Sequence, residues 1–327
     1  MVNIVESLKL KKKRLDEHSP FANNVINNLL EWFKIELTYS SNAIEGNTLS
    51  RLETAVVVQK GITIGGKLLK EHLEATNHAK AFDFILSLTN KNTVTEQDIL
   101  EIHRLVLQNI ENDDAGNYRN NRVRIAGTDV IFPNYIKIPE LMTKFINDLQ
   151  HEQDPIEKAL FAHYEFVTIH PFIDGNGRTA RLLMNLILMQ NGYPPAIIKP
   201  KDRLKYLKSL EQAQLGGSKD PYKEFVIGCI DKSLNIYIKS IENKDLPIIK
   251  LRENLIKIGE LAKSTNENNP TIRHWIKLGL IEVTDKTESN FQLFDKIEIA
   301  KCHRIRELQK QRFSLEEILG KLSEEFE

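Results

Sequence analysis

Apolar residues recur at helical spacing along most of this chain, and two runs stand out because a short polar stretch divides them. Ala159-Leu-Phe-Ala-His-Tyr-Glu-Phe-Val-Thr-Ile169 reads as a helix. Leu182-Leu-Met-Asn-Leu-Ile-Leu-Met189 is apolar nearly all round, which suits a helix through the centre of a core. Pro171 disfavours helical dihedrals at His170 and predicts that the first helix ends there. Val123 and Ile125 alternate around Arg124, and the Ala126-Gly127 turn that follows predicts a β-hairpin. In Ser40-Ser-Asn-Ala-Ile-Glu-Gly-Asn47, Ser40 or Ser41 can cap a short helix that Gly46 ends, placing Glu45 in its last turn.

The pattern breaks at Glu242-Asn-Lys-Asp-Leu-Pro247, which reads as a linker. Beyond it, Ile258-Gly-Glu-Leu-Ala-Lys263 and Pro270-Thr-Ile-Arg-His-Trp-Ile-Lys-Leu-Gly-Leu-Ile281 predict a helix-turn-helix. Its first helix should run to about Thr265, and its second from Asn269 or Pro270 to a stop at Gly279. The expectation is a mainly α protein in three parts: an N-terminal helical region (1–95), a helical core (96–240) and a small helix-turn-helix unit (250–327), which the resemblance given below makes a winged one.

Composition removes classes rather than adding one. The 327 residues carry 45 basic and 45 acidic side chains, so the whole chain bears no footprint for nucleic acid or membrane. Cys229 and Cys302 are far apart and lack metal-ligand spacing, which fits a reducing cytoplasm better than a disulfide framework. The longest apolar runs are about half of the ~20 residues a membrane span requires, and the N-terminus lacks a signal-peptide pattern. The basic run Lys11-Lys-Lys-Arg14 is expected to be a solvated helix face.

The candidate chemistry lies in the polar divider, His170-Pro-Phe-Ile-Asp-Gly-Asn-Gly-Arg-Thr-Ala-Arg181. Gly175 and Gly177 allow the backbone to approach an anion closely, and their N–H groups with those of the following helix start can form a nest for it. Arg178 and Arg181 lie three apart in the first turn, where cations oppose the helix dipole. An anion bound between dipole and guanidinium groups resolves that conflict, so the stretch is read as a polyphosphate site. Asp174 can hold Mg²⁺ against phosphate oxygens, and His170 is free to act as a general base. The plainer alternatives are an N-cap for Asp174 or Asn176 and a packed core position for His170. Glu45, at a helix end whose dipole disfavours a carboxylate, calls for a cationic partner.

The stretch matches without a mismatch the Fic family signature, His-Pro-Phe-x-Asp-Gly-Asn-Gly-Arg-x-x-Arg. The resemblance implies transfer of AMP from ATP to a hydroxyl of a protein, its own included. By it, His170 deprotonates the target Ser, Thr or Tyr, Asp174 binds Mg²⁺ and Asn176 binds the α-phosphate. Gly175 and Gly177 present N–H groups, and Arg178 and Arg181 take the β- and γ-phosphates. Ser41, Glu45 and Gly46 resemble the family's inhibitory-helix motif. This implies that Glu45 pairs with Arg181 in the place of the γ-phosphate, as a brake or as the residue that reverses the modification. Val123, Arg124, Ile125 and Ala126 fall in the segment resembling the family's flap, which adds a strand to the target's backbone. On the adenine side the chain departs from the family pattern: Tyr206 is retained, but Leu207, Gln214 and Gly217 replace tyrosine, asparagine and an acidic residue. Gln214, Tyr206 and Asn185 are the implied adenine or ribose contacts.

Residues 255–320 resemble the MerR-type winged helix-turn-helix, through the second helix above and Phe291 to Ile318. That implies Thr271, Arg273 and His274 toward a DNA major groove and Lys277 near phosphate. Acids and bases are equal in number from Lys250 to Glu327, so a partner protein stands beside DNA as the ligand of this part. Two-fold operator binding would require a homodimer through the catalytic part, the expected assembly.

Overall fold

A computed structural model describes residues 2–19, 21, 23–243, 255–286, 291–295 and 297–326. They divide into two compact units, residues 1–49 with 54–247 and residues 50–53 with 248–327. The expected N-terminal region and helical core therefore share one unit. Residues 244–247 of the expected linker lie outside the described residues.

In the first unit the helices are α1 (Val2–Asp16), α2 (Asn23–Ile44), α3 (Arg51–Lys60, begun in the other unit), α4 (Leu69–Ser87) and α5 (Glu96–Leu107). They continue with α6 (Ile138–His151), α7 (Pro155–Ile169), α8 (Asn176–Gln190), α9 (Arg203–Gln214) and α10 (Asp220–Asn243). Helix α8 is the axis, packed against α2, α4, α5 and α7. Its residues Leu182, Leu183, Met184, Leu186, Ile187 and Leu188 are all 1% exposed or less, which is why that run is apolar on every side. Burying the apolar faces of α2 and α4 on this axis fuses the N-terminal region to the core.

Three sequence readings change here. The Ser40–Asn47 segment is not a separately capped helix, because its serines fall in the last turns of the 22-residue α2. The apolar positions of α2, Leu29, Phe33 and Leu37, carry its periodicity straight into the motif. The basic run of α1 is not simply a solvated face: Lys11 meets Asp231 at 2.7 Å and Arg14 meets Glu242 at 2.6 Å, fastening α1 to α10. The expected flap hairpin is an irregular loop that turns at Gly127 (φ +83°), with no strand assigned between Tyr118 and Pro133. Two strands without further partners are marginal in water, and this loop has no third one beside it.

The second unit contains α11 (Ile258–Thr265), α12 (Asn269–Lys277), α13 (Ile297–Lys310) and α14 (Leu315–Phe326). A small antiparallel sheet joins β1 (Ile256–Lys257), β2 (Asp285–Lys286) and β3 (Gln292–Phe294) in the order β1-β3-β2. Asn268 caps α12 by accepting the Thr271 N–H at 2.8 Å, and Pro270 follows in the first turn, as the sequence predicts. Leu261, Ile272, Trp275, Phe294 and Ile305 form its separate core. Among the described residues no helix is long and apolar enough to cross a membrane.

Candidate active site

The divider folds into a loop whose backbone is fixed from several sides. Helix α7 ends at Ile169, where Pro171 two residues on disfavours further helix, and His170 takes a left-handed conformation (φ +51°). Arg119, only 3% exposed, donates to the carbonyls of His170 (2.8 Å), Asn121 (2.8 Å) and Pro133 (2.7 Å), tying the loop to both feet of the flap segment. His103 donates from Nε2 to the Asp174 carbonyl (2.9 Å) and accepts the Gly116 N–H at Nδ1 (2.9 Å). Its ring stacks on Phe172 with centroids 3.5 Å apart. Gly175 (φ +76°) caps α8 against that ring, where an added Cβ would be crowded at 3.2 Å.

Asn176 is placed differently from the role its motif position implies. Its Oδ1 accepts the Phe172 N–H (3.0 Å) and its Nδ2 donates to the Phe172 carbonyl (2.9 Å), closing the loop on itself. One Nδ2 hydrogen remains for a ligand.

His170 stacks on Phe132 at 4.1 Å and points Nδ1 at the Val167 carbonyl, 3.3 Å away. That contact assigns the proton to Nδ1 and leaves the Nε2 lone pair free. Burial pushes its pKa down to about 4, and the charge of Arg119 pushes the same way, against the Val167 carbonyl, Glu45 and Asp174. His170 is therefore neutral at physiological pH, with that lone pair unprotonated. Asp174, half exposed, accepts from the Gly175 N–H at 2.6 Å and from Arg178 at 3.0 Å. Burial would raise its carboxyl, but Arg178, that N–H and Lys70 hold it below the usual carboxylate range.

The two arginines, expected to share one anion, diverge to three carboxylates, one on Arg181 and two on Arg178. Arg181, 5% exposed, donates to Ser41 Oγ (2.9 Å), the Ser41 carbonyl (3.0 Å) and Glu45 Oε1 (2.7 Å). The Glu45 carboxylate lies against Gly177 so closely that a Cβ there would collide with it. An anion already sits on the first turn of α8, and it is a side chain. Arg178, 2% exposed, lies between Asp174 and Glu74 (3.2 Å), and Glu74 also accepts from Asn47 (2.8 Å), the residue after Gly46. Glu74, His103 and Arg119 had no assigned role in the sequence. Only a charge count offered a signal, since two buried arginines require two carboxylates.

On the adenine side, two of three expected contacts face elsewhere. Asn185 spends its amide on the backbone of Ala196, donating to its carbonyl (3.2 Å) and accepting its N–H (2.8 Å). Tyr206 is 1% exposed and turns its hydroxyl to His163 (2.8 Å). Both readings took a side chain's chemistry as its direction, and burial decided otherwise. Gln214 is half-buried and donates to Thr168 (3.2 Å). In the flap Val123 is half-buried, while Arg124, Ile125 and Ala126 are exposed. In the second unit Arg273, His274 and Lys277 are exposed on α12, and Thr271 is half-buried against Asn268.

Residues 93–188 match the family model described as the Fic/DOC family, and residues 256–325 match that of the MerR HTH family regulatory protein. A protein adenylyltransferase Fic of Drosophila virilis is 39% identical over 214 residues, covering 64% of this chain and 43% of that one. The solved structure of Fic-1 from C. elegans is similar with a TM-score of 0.67 at 33% identity, covering 75% of this chain and 74% of that one. A Fic domain containing signaling protein from Bacteroides thetaiotaomicron gives a TM-score of 0.68 at 28% identity, over 76% of this chain and all of that one. The chain belongs to the Fic/DOC family, with a MerR-like winged helix-turn-helix as its second unit. It spans about half the length of the curated relatives it matches.

Proposed function

We propose that this chain is a protein adenylyltransferase, moving AMP from Mg·ATP to a hydroxyl of a protein, and that Glu45 holds it in check. The name carried by its curated relatives supports the activity. The observation that carries the reading is the Glu45 carboxylate paired at 2.7 Å with Arg181 over Gly177. A site that buries two arginines beside a helix N-terminus is built for an anion, and a carboxylate there stands in for a phosphate.

With Glu45 withdrawn, Arg181 and Arg178 face the terminal phosphates and the N–H groups at the start of α8 face the chain between them. His170 Nε2 takes the proton of the target hydroxyl. The oxygen forms a bond to the α-phosphorus, the bond from that phosphorus to pyrophosphate breaks, and pyrophosphate leaves with its electron pair. Asp174 would hold Mg²⁺. A single half-exposed carboxylate fits a metal that also takes phosphate oxygens, and the described residues contain no cluster of three or more His, Cys, Asp or Glu able to hold a resident ion. When bound, Mg²⁺ neutralises charge on the phosphates. The exposed flap residues Arg124, Ile125 and Ala126 would hold the target's backbone.

The test uses ATP labelled at either end, with the Glu45→Gly chain. Label retained on protein from the α-position and not from the γ-position is expected. Retention from the γ-position would replace AMP transfer with phosphorylation.

The second unit supports a separate reading as a DNA-contacting module, through exposed Arg273, His274 and Lys277 on α12.

A further inference from the structure

The flap segment reaches the base through Phe132. Its neighbour Ile131 is 75% exposed, whereas Phe132 is half-buried, its ring stacked on the His170 imidazole with centroids 4.1 Å apart and planes 29° from parallel. That alternation is the habit of an extended backbone, in which successive side chains point to opposite faces. Pro133 favours it, because the residue before a proline is biased toward extended dihedrals. Phe132 is absent from the described residues that build the apolar core of the first unit, so core packing does not account for its place.

One side chain fixes the backbone beneath this pair. Arg119 donates from Nε to the His170 carbonyl (2.8 Å) and from Nη2 to the Pro133 carbonyl (2.7 Å). Its main-chain N–H donates to the Pro171 carbonyl (3.0 Å). A guanidinium is a planar, rigid fork, so the carbonyls it joins keep a set separation. Phe132 and His170 therefore meet ring to ring on a common support.

The imidazole has little else to hold it. Among the described residues its ring has one hydrogen-bond partner, the Val167 carbonyl 3.3 Å from Nδ1, which is longer than the usual N–H···O distance. The torsion that turns a flat ring is broad, and a weak contact at one edge leaves the ring free to tilt about it. A second flat ring against its face sets the plane, and the Val167 carbonyl then sets which edge faces in. We infer that Phe132 is a positioning residue for His170: it fixes the plane of the imidazole, so that the proton stays on Nδ1 and the Nε2 lone pair stays aimed at the reacting hydroxyl. The inference rests on the base proposed above. It gives the flap segment a second duty, because its foot becomes part of the catalytic geometry.

The experiment follows AMP incorporation by the full Glu45→Gly chain over a range of Mg·ATP concentrations, alone and with Phe132→Ala, Phe132→Leu or Phe132→Tyr. Phe132→Ala should lower kcat about tenfold and leave KM for ATP within about twofold, since the nucleotide contacts are untouched. A tenfold loss is about 1.4 kcal/mol, the upper end of what a stacked ring pair adds beyond burial. Leucine keeps apolar bulk but has no flat face, so Phe132→Leu should lose nearly as much. Phe132→Tyr keeps the face and should restore kcat to within about twofold. Full kcat in Phe132→Leu, no loss in Phe132→Ala, or a change in KM alone overturns the inference. Nitrogen NMR of the same chains without substrate reads the ring directly. A His170 proton held on Nδ1 that becomes shared with Nε2 in Phe132→Ala supports the inference, and an unchanged Nδ1 proton overturns it. If no chain transfers AMP, those spectra still decide the positioning role, and the transfer reading alone fails.

Discussion

The loop from His170 to Arg181 and the helix from Asn269 to Lys277 both place cations at the start of or along a helix, and they treat them in opposite ways. In the first, Arg178 and Arg181 are 2% and 5% exposed, and both are paired with carboxylates from distant segments. In the second, Arg273 and Lys277 are exposed, with burial reserved for Ile272 and Trp275 on the other face. Buried cations are costly unless paired, so the first region is ordered for one ligand shape and already holds a substitute for it. Exposed cations impose no such shape and suit a surface read by charge. A single mutation should therefore act all-or-none in the loop and by increments on the helix.

The largest effect should come from His170→Ala in the Glu45→Gly chain, which removes the base without touching the arginines. Loss of a positioned general base costs about 10²–10⁴-fold, so labelling from α-³²P-ATP should fall by at least the lower figure. A loss below tenfold would mean that the loop orders phosphates but His170 does not take the proton.

Acid should separate the two regions next. His78 and His163 are pushed down to about 3, and His103 and His170 to about 4, each chiefly by burial. Unfolded, all four would titrate near 6.5. The unfolded chain therefore binds more protons below that value, and the stability these groups contribute above pH 6.5 is lost as pH falls toward about 3. All four lie in the first unit. Its melting temperature should hold above pH 7 and drop steadily below 6.5, where the second unit, with His274 exposed, should change less. Parallel acid transitions in both units would contradict the contrast in burial.

The smallest effects should be on α12. If the second unit contacts DNA, Lys277→Ala should lower the salt slope of binding by about one, and Arg273→Ala should cost about 1–3 kcal/mol on a preferred sequence. Binding that ignores both substitutions would make this helix a protein-docking surface.

What the sequence made legible follows from distance along the chain. The loop, the end of α7 at His170 and the two helices α11 and α12 are local, written in Pro171, Gly175, Pro270 and Gly279, and the structure places them where those residues predict. Glu45 was legible as an unsatisfied carboxylate at a helix end. Its neighbours were not: Glu74 meets Arg178 from 104 residues away and His103 meets the Asp174 carbonyl from 71. Such pairings leave no periodicity or spacing behind. Tyr206 and Asn185 show the converse, polar groups that the sequence identifies and only the packing can orient. The flap pattern of alternation was real, but alternation needs a partner strand before it becomes a ladder.

The central claim is that the Glu45 carboxylate occupies a phosphate's place. It is tested most directly by initial rates of AMP incorporation at saturating Mg·ATP for the wild-type chain, Glu45→Gly, and Glu45→Gly/His170→Ala. The account predicts that Glu45→Gly exceeds wild type by tenfold or more, with the double variant returned to background. Equal rates for wild type and Glu45→Gly, both dependent on His170, would contradict it, because the carboxylate on Arg181 would then be no obstacle to the nucleotide.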